Sequence, residues 1–336
     1  MKKHLLLIFI TAFCILASFV GNVSLTFAET EGYASKRIIL GEFKSKKGFT
    51  ASGSYSVPWL ELEASHIAID DNRKIYVLDK NKKRVLQFSP DGKLIKEIWL
   101  KDVDFSDKSE ELGDEGYIPY QLKVSSNGSY LYITEGGKEN NWAILDSNGA
   151  PIAKNRSLDR LERRCNDKFR SGGGAIELDN KLRVMSKVKI SVTRNKNEII
   201  DSENNMYFLN LKEQDSSKRI FLTKRMANGK QIWKKEIKNY NKAPRILGTD
   251  GVDNIYILTE GPMRIIKINN KGEQLASLDL PNDTFFRDWR FVNFSVLCDG
   301  TIYCIPTYFA LWKGRKANDE GGEYVIYEFE KIKTTQ

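Results

Sequence analysis

The sequence predicts an all-β protein folded as a single closed β-propeller of four-stranded antiparallel blades. Six blades are expected, with five and seven as the alternatives. An apolar-Tyr-apolar triplet recurs five times, and each later copy follows a turn such as Asn127-Gly128 or Asp299-Gly300. The tyrosines are spaced 56, 75, 49 and 47 residues apart, which suits one four-stranded unit per period. They are Tyr76, Tyr132, Tyr207, Tyr256 and Tyr303. A β-sandwich whose strands contain tyrosine is the alternative fold.

The stretch Ile67 to Gly92 shows the repeat most clearly. Short apolar runs alternate with turns at Asp71-Asn72-Arg73, Asn81-Lys82-Lys83 and Pro90-Asp91-Gly92. β-Branched and aromatic residues suit a pleated, buried surface, and Asp-Gly gives a hairpin loop its backbone freedom. The stretch therefore predicts three short strands that lead into a fourth.

This stretch resembles one repeat of the NHL-type propeller family. The resemblance is good for this blade, moderate around Tyr132 and Tyr256, and slight over residues 150–200. It implies a six-bladed propeller, a fold shared by ligand-binding and scaffolding proteins and by some lyases and lactonase-like enzymes. The fold therefore does not choose the function.

Residues 1–28 read as a secretory signal peptide. Lys2 and Lys3 precede an apolar run from Leu5 to Val20, and small residues follow up to Ala28. We expect a protein exported to the periplasm or the extracellular space, with an uncleaved N-terminal membrane anchor as the alternative. The propeller domain would then span residues 29–336.

A closed propeller needs one blade built from both ends of the chain, because this leaves no exposed sheet edge. The candidate strands are Lys36 to Phe43 and Tyr324 to Phe329. Three cysteines remain after the signal, so one internal disulfide at most can form. We expect Cys298 and Cys304 to be small strand residues, because they flank a hairpin at unequal distances from its turn.

Positive charge is concentrated in the long gap between Tyr132 and Tyr207, where we expect one degenerate blade. Lys154 to Lys196 contains thirteen basic and five acidic residues, a net charge of +8. The mature chain has a net charge of about +7, from 51 basic minus 44 acidic residues, so this segment accounts for all of the excess. Ser157 to Cys165 could form a short capped helix. The candidate surface for an anionic partner consists of Arg160, Arg163, Arg164, Arg183, Lys187 and Lys189. A solvated edge strand is the alternative.

The sequence offers little catalytic machinery. His66 is the single histidine of the mature chain, and no phosphate loop, dinucleotide fingerprint or haem motif is present. The acidic stretch Asp102 to Glu115 lacks the spacing of a calcium loop, so we expect a loop between blades. No metal site or cofactor is predicted, except a divalent cation if the protein is a gluconolactonase-like hydrolase with a carboxylate-lined centre.

Aligning the repeats gathers a set of polar and aromatic residues around a shallow central pocket on one face. Such residues suit a sugar, a peptide or an anion. The candidate ligand-binding residues are His66, Tyr120, Glu135, Arg245, Glu260, Trp289 and Arg290.

Two functional hypotheses follow. The first is an exported binding or scaffold module for a protein partner or an anionic envelope polymer, and the second is the metal-dependent hydrolase. The residues favour binding over catalysis. Nucleic acid is a weaker candidate partner, because an exported protein does not usually meet nucleic acid, although the positive charge would permit binding.

Overall fold

The structure is a computed structural model of the 336-residue chain. The described residues belong to one compact unit, Glu31–Gln336, whereas the other unit, Met1–Thr30, and with it the predicted signal peptide, lies outside them. The structure describes residues 33–44, 48–51, 67–79, 82–101, 103, 121–134, 142–155, 161–163, 165, 169–171, 176–187, 198–214, 217–238, 242–260, 263–280, 292–306 and 322–331.

The described strands form five four-stranded antiparallel sheets and one five-stranded sheet, which are the six blades of a β-propeller. Blades are numbered here in chain order, and each blade's strands in the order in which they follow one another. Blade 1 contains β3 (Ile67–Ile69), β4 (Ile75–Asp79), β5 (Arg84–Phe88) and β6 (Leu94–Trp99). Blade 2 contains β7 (Leu122–Val124), β8 (Tyr130–Thr134), β9 (Trp142–Asp146) and β10 (Pro151–Asn155). Blade 3 contains β11 (Glu162–Arg163), β12 (Phe169–Ser171), β13 (Ile176–Leu178) and β14 (Val184–Lys187).

The second half of the chain repeats this arrangement. Blade 4 contains β15 (Glu198–Ile200), β16 (Met206–Gln214), β17 (Ser217–Arg225) and β18 (Gln231–Ile237). Blade 5 contains β19 (Lys242–Thr249), β20 (Ile255–Glu260), β21 (Arg264–Ile268) and β22 (Gln274–Asp279). Blade 6 contains β23 (Val292–Val296), β24 (Ile302–Pro306), β25 (Gly322–Lys331), β1 (Tyr33–Lys44) and β2 (Gly48–Ala51).

The five repeated tyrosines occupy equivalent positions on second strands, as predicted. They lie on β4, β8, β16, β20 and β24, and all five rings are buried. These strands are buried on both sides because each blade packs between two others, which explains why triplets such as Ile75-Tyr76-Val77 are apolar throughout.

Blade 6 joins the two ends of the described chain. β1 pairs antiparallel with β25 from Tyr33 opposite Lys331 to Phe43 opposite Gly322. This pairing confirms that Lys36 to Phe43 and Tyr324 to Phe329 build one blade together. In each of the six sheets, the outermost strand is hydrogen-bonded to the neighbouring strand of the same sheet.

Buried apolar clusters hold consecutive blades face to face. Val85 of blade 1 and Val124 of blade 2 belong to one cluster, and Leu222 of blade 4 and Ile257 of blade 5 belong to another. Similar clusters join blades 2 and 3, blades 5 and 6, and blades 6 and 1. Burial of these faces is the main stabilising contribution in such a repeat architecture.

The gap between Tyr132 and Tyr207 contains one short-stranded sheet, blade 3. The prediction of a capped helix over Ser157 to Cys165 is wrong where the structure describes it, because Glu162–Arg163 is strand β11. β11 pairs with β12 through Arg163 opposite Phe169, and Phe169 is fully buried. Cross-strand burial therefore outweighs the helical spacing of the leucines.

We expect Leu78→Asp and Val85→Asp to abolish accumulation of folded protein. Both side chains are fully buried in blade 1, where an unpaired carboxylate costs several kcal/mol. Lys93→Gln is the matched control, because the Lys93 side chain is 84% exposed. The measurement is the yield of protease-resistant protein. Equal yields from all three variants would contradict the assigned burial.

Candidate functional site

Three of the repeated tyrosines donate a buried hydrogen bond to an aspartate six residues earlier in the chain. The Tyr76 hydroxyl donates to Asp70 Oδ2 over 3.0 Å, and Tyr207 and Tyr256 donate in the same way to Asp201 and Asp250. Each aspartate also accepts backbone N–H groups of its own turn. These bonds are structural, because each satisfies a buried hydroxyl and closes the first turn of its blade.

The third strand decides the charge balance of these networks. In blades 4 and 5 the residue opposite the tyrosine is a lysine, and Lys224 Nζ lies 3.2 Å from Asp201 Oδ2. In blade 1 it is the neutral Gln87, whose amide donates to the Tyr76 hydroxyl over 2.8 Å. Burial raises the pKa of the Asp70 carboxyl above its ordinary value, although several hydrogen bonds act in the opposite direction.

We expect Gln87→Lys to stabilise the protein at neutral pH. A raised folded-state pKa means that Asp70 contributes fully to stability below its unfolded pKa of 3.8 and that this contribution is lost as pH rises. A lysine would supply the countercharge that blades 4 and 5 already have. The free energy of unfolding should then increase by about 1 kcal/mol at pH 7, with no increase at pH 3.

Chemical unfolding at both pH values measures this difference, and Gln87→Met is the uncharged control. An equal gain at both pH values would show that packing, and not charge, is responsible.

Consecutive blades touch through their turns in a regular way. The fourth strand of one blade meets the turn between the third and fourth strands of the next: Lys96 Nζ donates to Asn148 Oδ1 of blade 2, and Trp233 Nε1 donates to the Asn270 carbonyl of blade 5. First turns also meet, because the Asp71 N–H donates to the Ser126 carbonyl over 2.8 Å.

Blade 3 departs from this arrangement. Its third turn is met by Tyr132, whose hydroxyl donates to the Asn180 carbonyl over 2.6 Å. Tyr132 lies on the second strand of blade 2, two strands inward from the usual contact. Its ring also packs on Phe169, with centroids 4.5 Å apart. We infer from these two contacts that blade 3 lies closer to the propeller axis than its neighbours.

The first turn of blade 3 consequently reaches across the axis. The Arg163 guanidinium donates to the Ile69 carbonyl over 3.1 Å and pairs with Asp71, both in blade 1. Cys165 forms a disulfide with Cys298 in the first turn of blade 6. Blades 3 and 6 are three blades apart in chain order, which in a six-bladed ring places this disulfide across the axis, at the end of the sheets that carries the first turns.

The cysteine prediction is half right. Cys304 is a buried, unbridged residue of β24, where burial raises the pKa of its thiol. The prediction that Cys298 is a strand residue is wrong, because it lies in a turn and is bonded to Cys165. The turn sequence Cys298-Asp299-Gly300 was the available signal, since it aligns with the other first turns.

We expect the double variant Cys165→Ser/Cys298→Ser to unfold more readily than the parent, with a free energy of unfolding lower by roughly 2–5 kcal/mol. The bond closes a loop of 133 residues and anchors the displaced blade. Denaturant titration with and without reductant measures the free energy of unfolding. Reductant should lower this free energy for the parent and leave that of the double variant unchanged. Titration of three free thiols in the denatured, unreduced parent would contradict the bridge.

The basic hairpin between β13 and β14 carries the third turn of blade 3 and the edge strand of its sheet, β14. The Arg183 side chain is 75% exposed and pairs with the carboxylate of Asp179 over 2.6 Å. Lys181, Val184 and Met185 beside it are exposed as well. Arg163, by contrast, points inward with only 13% exposure, so its charge serves the cross-axis contact and not the outer surface.

Of the predicted pocket residues, the structure describes the side chain of Arg245. It lies half-buried on β19, and its guanidinium stands over the Phe294 ring at 5.7 Å from the centroid. Glu260 ends β20 and Lys187 ends β14, and only their backbones are described. The remaining candidates lie outside the described residues: His66, Tyr120, Glu135, Trp289, Arg290, Arg160, Arg164 and Lys189.

Within the described ranges, no group of three or more His, Cys, Asp or Glu side chains could hold a metal ion. Most of the acidic stretch Asp102 to Glu115 lies outside those ranges. The same ranges contain no helix that is long and apolar enough to span a membrane.

No family model matches the chain. No curated protein matches it by sequence. The relation to NHL-type propellers therefore remains a resemblance in the repeat around Tyr76.

Three solved structures are similar to the chain at low identity. A catalytically inactive virginiamycin B lyase from Staphylococcus aureus is 13% identical, with 89% of this chain and 100% of that chain covered and a TM-score of 0.43. A Bacteroides fragilis protein that is described as an exported protein is 9% identical, with 90% of this chain and 96% of that chain covered and a TM-score of 0.44. A DUF4221 family member from Bacteroides vulgatus is 11% identical, with 91% and 99% covered and a TM-score of 0.47. The assignment as a propeller rests on the strand pairing described above.

Proposed function

We propose that this protein is an exported binding module that attaches to an anionic partner through the basic segment Lys154 to Lys196. The partner is an acidic protein or an anionic envelope polymer. The exposed Arg183 and Lys181 of blade 3 support the proposal most directly, because they stand on an outer hairpin and not in a buried network.

The displacement of blade 3 favours binding at its outer side. The cross-axis disulfide and the Arg163 contact fix the inner turn, so the hairpin that carries Arg183 is held on a rigid base. A preorganised site loses less conformational entropy on association than a mobile one.

We expect binding to immobilised poly-glutamate, a model acidic polymer, to be strong at about 50 mM salt and weak at about 500 mM, because salt screens exposed charges. The triple variant Arg183→Gln/Lys187→Gln/Lys189→Gln should lose at least about fivefold in affinity at low salt. Surface plasmon resonance provides the measurement.

The matched control removes three exposed positive charges elsewhere, by Lys101→Gln/Arg219→Gln/Lys238→Gln. It should retain most of the affinity. Equal losses in both variants would show that net charge alone attracts the polymer, and the basic segment would then be an edge that only maintains solubility.

A further inference from the structure

The hairpins between third and fourth strands share a feature that the blade packing does not require. In blades 1 to 5 the second residue of the fourth strand has no partner on the third strand and forms a β-bulge. The residue at this bulge is apolar in each of these blades. These residues are Ile95, Ile152, Met185, Ile232 and Leu275. The bulge position is thus apolar in five blades out of five.

These bulge side chains are turned toward solvent. Ile95, Ile152, Met185 and Ile232 are between 43% and 56% exposed, and Leu275 is partly exposed. Single exposed apolar residues are common on protein surfaces, but one position that is exposed in four blades and partly exposed in a fifth is a pattern. Val252, at 72% the most exposed large apolar residue among those described, lies in the first turn of blade 5.

All of these residues lie at one end of the sheets. Strand direction alternates within a blade, so the first turn and the third turn fall at the same end. Of the eight large apolar side chains that are exposed in the described ranges, seven lie in or beside these turns, and Trp99 is the exception. The loops at the opposite end lie mostly outside those ranges.

The same hairpins carry a positive net charge. The five stretches 91–97, 148–154, 181–187, 228–234 and 271–277, which we call the rim, contain nine basic and three acidic residues. Their net charge of +6 is most of the mature excess of about +7. Lys93, Lys154, Lys181, Lys230 and Lys271 place an exposed ammonium near each bulge residue.

We propose that the rim docks this face of the propeller onto an anionic lipid surface. Isolated apolar side chains, each beside a cation, match the boundary between headgroups and acyl chains. A partner that meets all five hairpins must also be as broad as the whole propeller. A lipid surface has this extent, whereas an acidic polymer would use the lysines and leave the isoleucines unexplained.

The test is sedimentation of the exported protein with vesicles of phosphatidylcholine alone or with about one-third phosphatidylglycerol, at low and high salt. We expect binding to the anionic vesicles only. Ile95→Ser/Ile152→Ser/Ile232→Ser should reduce the bound fraction at least about tenfold, because it removes apolar insertion and leaves the charge unchanged. Gln231→Ser/Gln274→Ser, exposed polar neighbours of the bulge residues, should bind like the parent.

This proposal goes beyond the binding function above, and its failure can be told apart from failure of that function. If the parent binds poly-glutamate but not anionic vesicles, lipid docking is overturned and polymer binding stands. If the triple serine variant still binds the vesicles like the parent, attraction is purely electrostatic and the apolar rim has no role. Thermal unfolding of each variant shows whether it is folded.

Discussion

The second-strand tyrosines Tyr76 and Tyr256 fix the contact between their own blade and the next. Each hydroxyl ends against the first turn of the following blade, so that a Cβ added at Gly128 would overlap the Tyr76 hydroxyl and one at Gly300 would stand 2.7 Å from that of Tyr256. Both glycines also have positive φ, so a larger residue would be excluded twice over. The aspartate accepts a hydrogen bond from the tyrosine hydroxyl inside the apolar interface. Burying this hydroxyl without a partner would cost several kcal/mol of folding free energy.

Blade 3 shows what happens where this contact changes. Tyr132 has no aspartate six residues earlier, and its hydroxyl instead donates to the carbonyl of Asn180. The short strands β11 to β14 then sit closer to the axis, where Arg163 and Cys165 find partners in distant blades. The hairpin between β13 and β14 thus contacts blade 2 through Asn180 and exposes Lys181 and Arg183, while the first turn of the same blade is bonded to blades 1 and 6.

The two proposed interactions use different parts of the same charge distribution. Arg183 and its neighbours belong both to the basic segment and to the rim, so they would contribute to polymer and lipid binding alike. The bulge isoleucines belong to the rim alone. They carry no charge, they are not needed for strand pairing, and they are repeated in blades whose other surface residues differ. Substitutions at these positions therefore separate an apolar from an electrostatic contribution.

The sequence by itself determined the blades, because turns and strand alternation are local signals. Asp-Gly turns and Ile-Tyr-Val triplets were enough to place five second strands and the strands that join both chain ends in blade 6. Only the tertiary structure decided the inward position of blade 3, the inward direction of Arg163 and the bond between Cys165 and Cys298. These features depend on contacts between residues about a hundred positions apart, and no local pattern encodes which distant turn a displaced blade will meet.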